Sequence, residues 1–532
     1  MTALAPISAT APQSAAPQPA EATAKPVAQP FGLRIVVGML GVLIASLSAG
    51  LNEKVTDLAM TDVRGALSIG HDEGTWLIAL YSAAQVAAMA FAPWFSVTVS
   101  LRRFTLGAIA CFALLALLCP FAPNVETLYL LRLLQGFAGG CMPPMLMTVA
   151  LRFLPPGIKL YGLGAYALTA TFAPNLGMPL AALWTEFIGW QWVFWQVIPL
   201  CAVALAAVAW GIPQDPLRLE RLRQFDTLGL ALGLPGILML VMGLLQGERL
   251  DWFESELITL LVIGGAGLLV AFFINEWTHP LPFYRLDILK RRNFTHALIT
   301  LAGVLVVLGA CSGVPASYLA SAHGYRPLQS APMALLVALP QLISLPLVAA
   351  LCNIPRVDCR WVLAIGISLC GLSAFGMSQL TSEWTRENFY WLLALQIIGQ
   401  PMAIVPLLMS ATSVVAPIEG PFASAWFNSV RGFSAVLGSA VVSILMTWRE
   451  HYHSNRLVDH LGNASQALGL RLEQLGGAES IGRLATQVRG QAGVLAASDT
   501  LLAMSWLAAS LLVLIPLMPL RVYPPRPVVP AN

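Results

Sequence analysis

Charge is what this sequence has least of. Only 10% of its 532 residues are Asp, Glu, Lys or Arg, where soluble domains carry roughly a quarter. That scarcity excludes a water-soluble fold of this length. The net charge of +3 is too small to indicate a nucleic-acid partner. Catalytic signatures are missing as well. No phosphate-binding Walker loop, nucleophile elbow or H-E-x-x-H string occurs, so nothing points to ATP as an energy source or to a hydrolytic site; no enzyme activity and no cofactor are expected. The eight cysteines form no C-x-x-C pair and none is expected in an outer loop, which excludes a disulfide framework and a zinc site of the usual spacing; buried apolar thiols are expected instead. The first thirty residues lack any apolar run and are rich in Ala, Pro, Ser, Thr and Gln. They read as a disordered tail and not as a signal peptide, which would need an apolar core before Arg34.

What is abundant is apolar: 57% of the residues are hydrophobic, and the mean hydropathy is +0.74. A membrane helix needs about 20 mostly apolar residues. Such runs lie near 35–60, 75–97, 104–122, 127–150, 160–185, 190–212, 226–247, 255–276, 294–319, 328–351, 361–380, 389–415, 421–447 and 499–520, which makes fourteen. With both ends in the cytoplasm, the inner segments hold seventeen Lys and Arg, whereas the short outer loops hold only Lys54, Arg64, Arg249, Arg326 and Arg386. A missed span would scramble this positive-inside alternation.

An internal repeat divides the fourteen. Gly136 precedes Pro143 as Gly399 precedes Pro406, at an offset of 263, and Phe172–Gly177 (FAPNLG) matches Phe433–Gly438 (FSAVLG) at 261. Spans four and five thus correspond to spans twelve and thirteen. The expected plan is a tail (1–32), a six-helix bundle (33–212), an inserted helix pair (213–278), a second six-helix bundle (279–520) with an outer loop at 448–498, and a cytoplasmic tail (521–532). Parallel halves of this kind are common among secondary transporters.

Ionisable groups at membrane depth are costly and are functional candidates by default. Span one ends in NEKVTD, where Glu53 and Asp57 are four apart and share a helix face. Neighbouring carboxylates in a partly desolvated site favour a raised pKa, as a proton carrier requires; the alternative is an interfacial segment paired with Lys54. Arg132, about five residues into span four, is read either as a partner for a carboxylate or anionic substrate, or as a clamp on helices or backbone carbonyls at the cytoplasmic side. Arg431, with Asn428 one turn earlier, has the same standing. Gln85, Tyr166, Asn175, Gln341, Gln396, Gln400 and Trp426 are candidates to line a substrate cavity, although intramembrane Gln and Asn also bond helices together. Pro332, Pro340, Pro346, Pro401 and Pro406 suggest kinked helices. The outer loop carries His451, His453 and His460, read as solvated and not as metal ligands, and Leu461, Leu468, Leu470 and Leu475 give a hint of a short helix there.

Several of these landmarks together resemble the EmrB/QacA-like fourteen-span drug–proton antiporters of the major facilitator superfamily. They are RLLQGFAGG at Arg132–Gly140, WQWVF at Trp190–Phe194 followed by Pro199, DWF at 251–253 and LKRRNF at 289–294. The resemblance covers about residues 40–520 and implies an all-α membrane protein of the major facilitator fold, arranged as 6 + 2 + 6. It implies proton-coupled export of amphipathic or aromatic compounds from the cytoplasm across a bacterial inner membrane, with Glu53, Asp57 and Arg132 in proton coupling. The partners implied are membrane lipid, protons, a small-molecule substrate, and a periplasmic adaptor with an outer-membrane channel. Three strings depart from the family pattern. LNEKVTDLAMT (51–61) has Asn52 for the usual Asp and Asp57 for the usual Asn; Gly177–Ala182 (GMPLAA) replaces G-P-x-x-G-G; PWFSVTVSLRR (93–103) keeps only the basic end of the loop after span two. Two other readings remain at this level: a proton-coupled importer of a small organic acid held by Arg132 or Arg431, and a membrane sensor or assembly factor that moves nothing.

Overall fold

The computed structural model describes residues 31–155, 157–416, 419–462 and 480–518. The tail expectations for 1–30 and 519–532, and Leu468, Leu470 and Leu475, lie outside the described residues. Among the described residues every regular element is helical. The fourteen long helices are α1 Leu33–Leu58, α2 His71–Val99, α3 Leu101–Leu118, α4 Val125–Phe153, α5 Lys159–Leu183, α6 Trp192–Gly211, α7 Thr227–Gln246, α8 Glu256–Thr278, α9 Arg292–His323, α10 Pro327–Cys352, α11 Cys359–Met377, α12 Arg386–Ser413, α13 Gly420–Gly462 and α14 Ser480–Leu514.

Thirteen of them are long and apolar enough to cross a bilayer. The exception is α5, whose 25 residues include Gly, Tyr, Thr, Asn and two internal prolines. It packs against α1 in its own bundle and α10 in the other, so it presents little surface that must match lipid. A helix enclosed by protein does not need the hydropathy that a lipid-facing one does.

The two bundles repeat one packing scheme. Helices α1, α2 and α3 pair with α6, α4 and α6 respectively, and α1 also packs on α5; α9, α10 and α11 pair with α14, α12 and α14, and α9 also packs on α13. Across the interface α5 meets α10 and α2 meets α13, which are the same contact related by exchange of the halves. Small residues permit the close approach. A Cβ on Gly136 would sit 2.4 Å from the Tyr81 carbonyl oxygen, and one on Gly140 2.2 Å from that of Gln85, so α2 and α4 touch backbone to backbone. Immediately after Gly140, α4 is interrupted at Cys141 before Pro143 and Pro144, as missing amide donors dictate.

Hydrogen bonds between the bundles lie in the cytoplasmic half and at mid-depth among the described residues. Asn353 Nδ2 donates to the Gly157 carbonyl (3.1 Å), Ser424 Oγ to that of Pro144 (2.9 Å), and Tyr166 and Thr169 are bonded to α13. The bundles are therefore latched at the cytoplasmic side.

The inserted pair, α7 and α8, packs on α2 and reaches α13. Asp226 caps α7 through the Gly229 amide (2.6 Å) and accepts from Asn275 on α8, while Glu276 accepts the Tyr284 amide (2.7 Å). Tyr284 bonds Ser429 through their hydroxyls, tying the pair's outgoing linker to the second bundle.

One segment differs from expectation. Residues 448–462 and 480–498, read as loop, continue α13 and α14. At 43 residues, α13 runs roughly 65 Å, about twice the hydrocarbon thickness, so the helix pair projects outward. His453 is not a solvated loop histidine: its Nε2 lies 2.6 Å from Asp499, which also holds Arg449 at 2.6 Å, so charges join the two helices where apolar patterning ends. Cys111 departs from the buried-thiol expectation and is exposed on α3, whereas Cys119, Cys201, Cys311, Cys352 and Cys370 are buried.

Candidate functional site

The last two turns of α1 meet α2 and α4 around one buried cation. Arg132 is 1% exposed; its Nη1 donates to Asn52 Oδ1 and to Gln135 Oε1, both at 2.8 Å. Its Cζ stands 4.2 Å from the centroid of Tyr81 and 5.7 Å from that of Phe194, so aromatic faces cover the guanidinium. Tyr81 is fixed by donating to the Ala49 carbonyl (3.1 Å). No ion pair to Arg132 exists among the described residues, and Arg132 Nε, Asn52 Nδ2 and Gln135 Nε2 are buried without hydrogen-bond partners. A permanent charge is thus held by neutral acceptors alone, with donors to spare, which is a high-energy arrangement in a low dielectric.

Glu53 is adjacent in sequence to Asn52 and half-buried; it accepts from Ser82 Oγ on α2 at 3.3 Å. Asp57, one turn outward, is exposed and lies 3.9 Å from Lys54. The two carboxylates share a stripe but not an environment: Glu53 faces the helix interface and Asp57 the outer rim. Asn52 lies in the outer part of α1, so Arg132 belongs to the outer half of the bundle and not to the cytoplasmic side expected for a clamp.

A second cluster joins the bundles. Tyr166 Oη donates to Asn428 Oδ1 (2.8 Å), and Arg431 donates through Nη1 and Nη2 to the Thr169 hydroxyl and carbonyl, both at 2.6 Å. Both pairs are separated by 262 residues, one more than the 261 that relates α5 to α13 in the sequence repeat. Neighbouring, nearly equivalent positions on α5 and α13 thus meet between the two bundles.

A third cluster lies within the second bundle. Gln341 Nε2 donates to Gln400 Oε1 (2.5 Å), Gln400 Nε2 to Gln396 Oε1 (3.2 Å), Gln396 Nε2 to Ser373 Oγ (3.0 Å), and Ser373 Oγ to the Leu392 carbonyl (2.8 Å). This ladder links α10, α12 and α11. The remaining candidates stand apart. Gln85 is buried on α2 beside Gly140, Asn175 bonds the Thr171 carbonyl of its own helix (2.7 Å), and Trp426 stacks on Phe273 of the inserted pair (5.8 Å) while donating to the Arg285 carbonyl (3.2 Å). The predicted residues therefore form separate clusters and do not line one chamber.

Sequence reasoning missed Gln135, Tyr81 and Thr169 as partners. Gln135 had a signal, since it lies three residues after Arg132 in the R-x-x-Q-G string; the other two are set by interhelical packing. It also missed Glu419, which accepts two bonds from Arg291 (2.6 and 2.8 Å) and lies 3.5 Å from Arg285. Hydrogen bonds from Arg291 hold the Glu419 carboxyl below the ordinary carboxylate range and raise the Arg291 pKa in return.

The description "Major Facilitator Superfamily" belongs to the family model that matches residues 42–351, more than half of the chain. The chain belongs to the major facilitator superfamily. Within this superfamily it is similar to the multidrug export protein EmrB of Escherichia coli strain K12, at 24% identity over 90% of this chain and 94% of the relative. It is also similar to the fatty acid resistance protein FarB of Neisseria gonorrhoeae, at 26% over 79% and 82%, and to the uncharacterized MFS-type transporter YhcA of Bacillus subtilis, at 24% over 82% and 80%. The crystal structure of the human organic anion transporter MFSD10 matches with a TM-score of 0.52 at 14% identity, covering 90% of this chain and all of that one, a likeness of fold. The chain is a divergent, EmrB-like member of the superfamily and a multi-pass membrane transporter.

Proposed function

We propose that the protein is a proton-coupled exporter of amphipathic or aromatic organic compounds in a bacterial inner membrane. The observation that carries this reading is Arg132, buried without a counter-ion beside an acidic helix end. With the cytoplasmic side latched, Glu53 faces the outer side. Its carboxylate, bonded to Ser82, brings a negative charge near a guanidinium that only Asn52 and Gln135 hydrogen-bond, and its protonation removes that charge. Proton uptake therefore changes the balance of α1 against α2 and α4, the contacts that must shift when the bundles rock. EmrB and FarB, by their names, concern drugs and fatty acids, which share an amphipathic character; that supports the substrate class. A periplasmic adaptor and outer-membrane channel belong to the proposal through the family resemblance, and the outward projection of α13 and α14 is the surface such an adaptor would meet. The importer reading has no comparable support, because Arg431 is engaged by Thr169 and Arg132 is enclosed at 1% exposure, out of reach of a substrate carboxylate.

The test is proton-driven transport of a fluorescent amphipathic dye in inverted membrane vesicles. Glu53→Gln is expected to abolish the response to an imposed proton gradient while binding of the dye persists. Full gradient-driven transport in the Glu53→Gln, Asp57→Asn double variant would sink the carboxylate mechanism.

A further inference from the structure

A cavity of about 610 Å³ opens between the cytoplasmic ends of α2, α4 and α13 and the two linkers that flank the inserted pair. Its size falls in the range of ligand sites, roughly 300–1,000 Å³, and nothing in the proposed transport mechanism uses it. Its walls are of two kinds. Leu151, Leu281 and Phe422 supply an accessible apolar surface, and Arg152, Arg218, Arg221 and Arg285 are the cations around it.

The cations are not equivalent. Arg152 is neutralised by Asp215 through two bonds (2.5 and 2.8 Å), and Arg285 leans on Glu419. Arg218 and Arg221 have no carboxylate partner among the described residues. They are three apart across the start of a 3₁₀ turn, Leu219–Gln224, where the Arg221 amide donates to the Arg218 carbonyl (3.1 Å). The Arg218 amide is pinned to the Thr98 carbonyl at the end of α2 (3.0 Å), which fixes the pair at the cavity. Arg221 lies over Trp94, 5.4 Å from its centroid, and its Nε is buried with no hydrogen-bond partner. Burial first, and the Arg218 charge beside it second, lower the Arg221 pKa, since desolvation and a like charge both disfavour the cation.

We propose that this cavity binds an anionic amphiphile, with its headgroup on Arg218 and Arg221 and its apolar portion against Leu151, Leu281 and Phe422. Basic pockets between helices at the cytoplasmic side are suited to anionic lipid headgroups, and guanidinium forks suit phosphate or carboxylate oxygens. The source is either an anionic phospholipid of the inner leaflet or a free amphipathic carboxylate. Because the walls come from both bundles and both linkers, they part when the cytoplasmic side opens. The bound amphiphile therefore favours the latched arrangement, and the site regulates access whatever the coupling mechanism proves to be.

The test uses the purified full-length protein in a neutral detergent, with thermal stability followed during titration. The probes are phosphatidylglycerol, phosphatidylcholine, decanoate and inorganic phosphate. Phosphatidylglycerol or decanoate is expected to raise the melting temperature, with at least tenfold weaker apparent affinity in Arg218→Gln, Arg221→Gln and no change in Arg292→Gln, an exposed cytoplasmic arginine outside the cavity. A response to phosphatidylglycerol alone assigns the bilayer as source, and one to decanoate alone assigns a free carboxylate. The proposal is overturned if phosphatidylcholine or inorganic phosphate acts as well as the anionic amphiphiles, or if the double variant responds like the parent. Should the double variant fold poorly, Arg218→Gln alone, at an exposed position, distinguishes the same two outcomes.

Discussion

The two bundles share a packing scheme but carry different chemistry at matching depth. In the first, α4 presents Arg132 to neutral acceptors beside the half-buried Glu53. At the 263-residue offset the corresponding position on α12 is Leu395, and the second bundle places a neutral glutamine ladder nearby instead. The fold duplicates geometry, while among the described residues the fully buried guanidinium sits in the first copy only; Arg431 of the second is half-buried and reaches across to Thr169. A duplicated scaffold can thus keep one half for charge movement and the other for holding its shape, because amides bond helices without the desolvation cost of ions.

The comparison breaks most visibly at Arg132. Arg132→Ala is expected to reduce gradient-driven transport more than about tenfold, as expected where a buried intramembrane charge is functional, in the vesicle assay; near-normal transport would make the first bundle as structural as the second. The next effect belongs to the ladder. Gln400→Leu leaves Gln341 and Gln396 short of a partner, which costs about 1–3 kcal/mol, read as a lower melting temperature, while the dependence of residual transport on the proton gradient is retained. Loss of coupling without loss of stability would assign the ladder a role in proton movement.

Smaller again is the expected effect of Glu419→Gln, about 1–2 kcal/mol. Because Arg291 depresses the folded-state pKa of Glu419, this stabilisation is complete above the ordinary glutamate value, about 4.3, and is lost as pH falls through the depressed folded value. Thermal unfolding followed from about pH 7 to about pH 3 should show this loss in the parent and not in the variant. The smallest effect is expected for Asp57→Asn. Exposed, and only loosely paired with Lys54, Asp57 should alter transport less than about twofold, in keeping with the small worth of exposed pairs; a large loss would move the proton site one turn outward from Glu53.

Much of the architecture is legible in the residues. Scarcity of charge forces burial in lipid, and the spacing of apolar runs and arginines gives the number and orientation of helices, because crossing a bilayer constrains length and flanking charge directly. The repeat exposes the 6 + 2 + 6 plan for the same reason: duplicated glycines and prolines mark close approaches and kinks that backbone geometry requires. The outer segment is less legible. The stretch after Trp448 loses its apolar periodicity and so resembles a loop, yet helix persists there through packing of α13 on α14 and the Arg449–Asp499–His453 contact.

The sequence by itself determined that this chain lives in a membrane, how many times its helices run along it, and which few ionisable residues lie at depth. Only the tertiary structure decided which of those residues meet. Glu53 and Asp57 look alike as neighbours on one helix face, but the packing of α2 half-buries one and leaves the other at the rim. Arg132 is an ordinary motif residue until Tyr81, Phe194 and Asn52 enclose it without a counter-ion. Helix periodicity fixes a side chain's direction on its own helix, whereas the dielectric and the partners it encounters are set by helices remote in sequence.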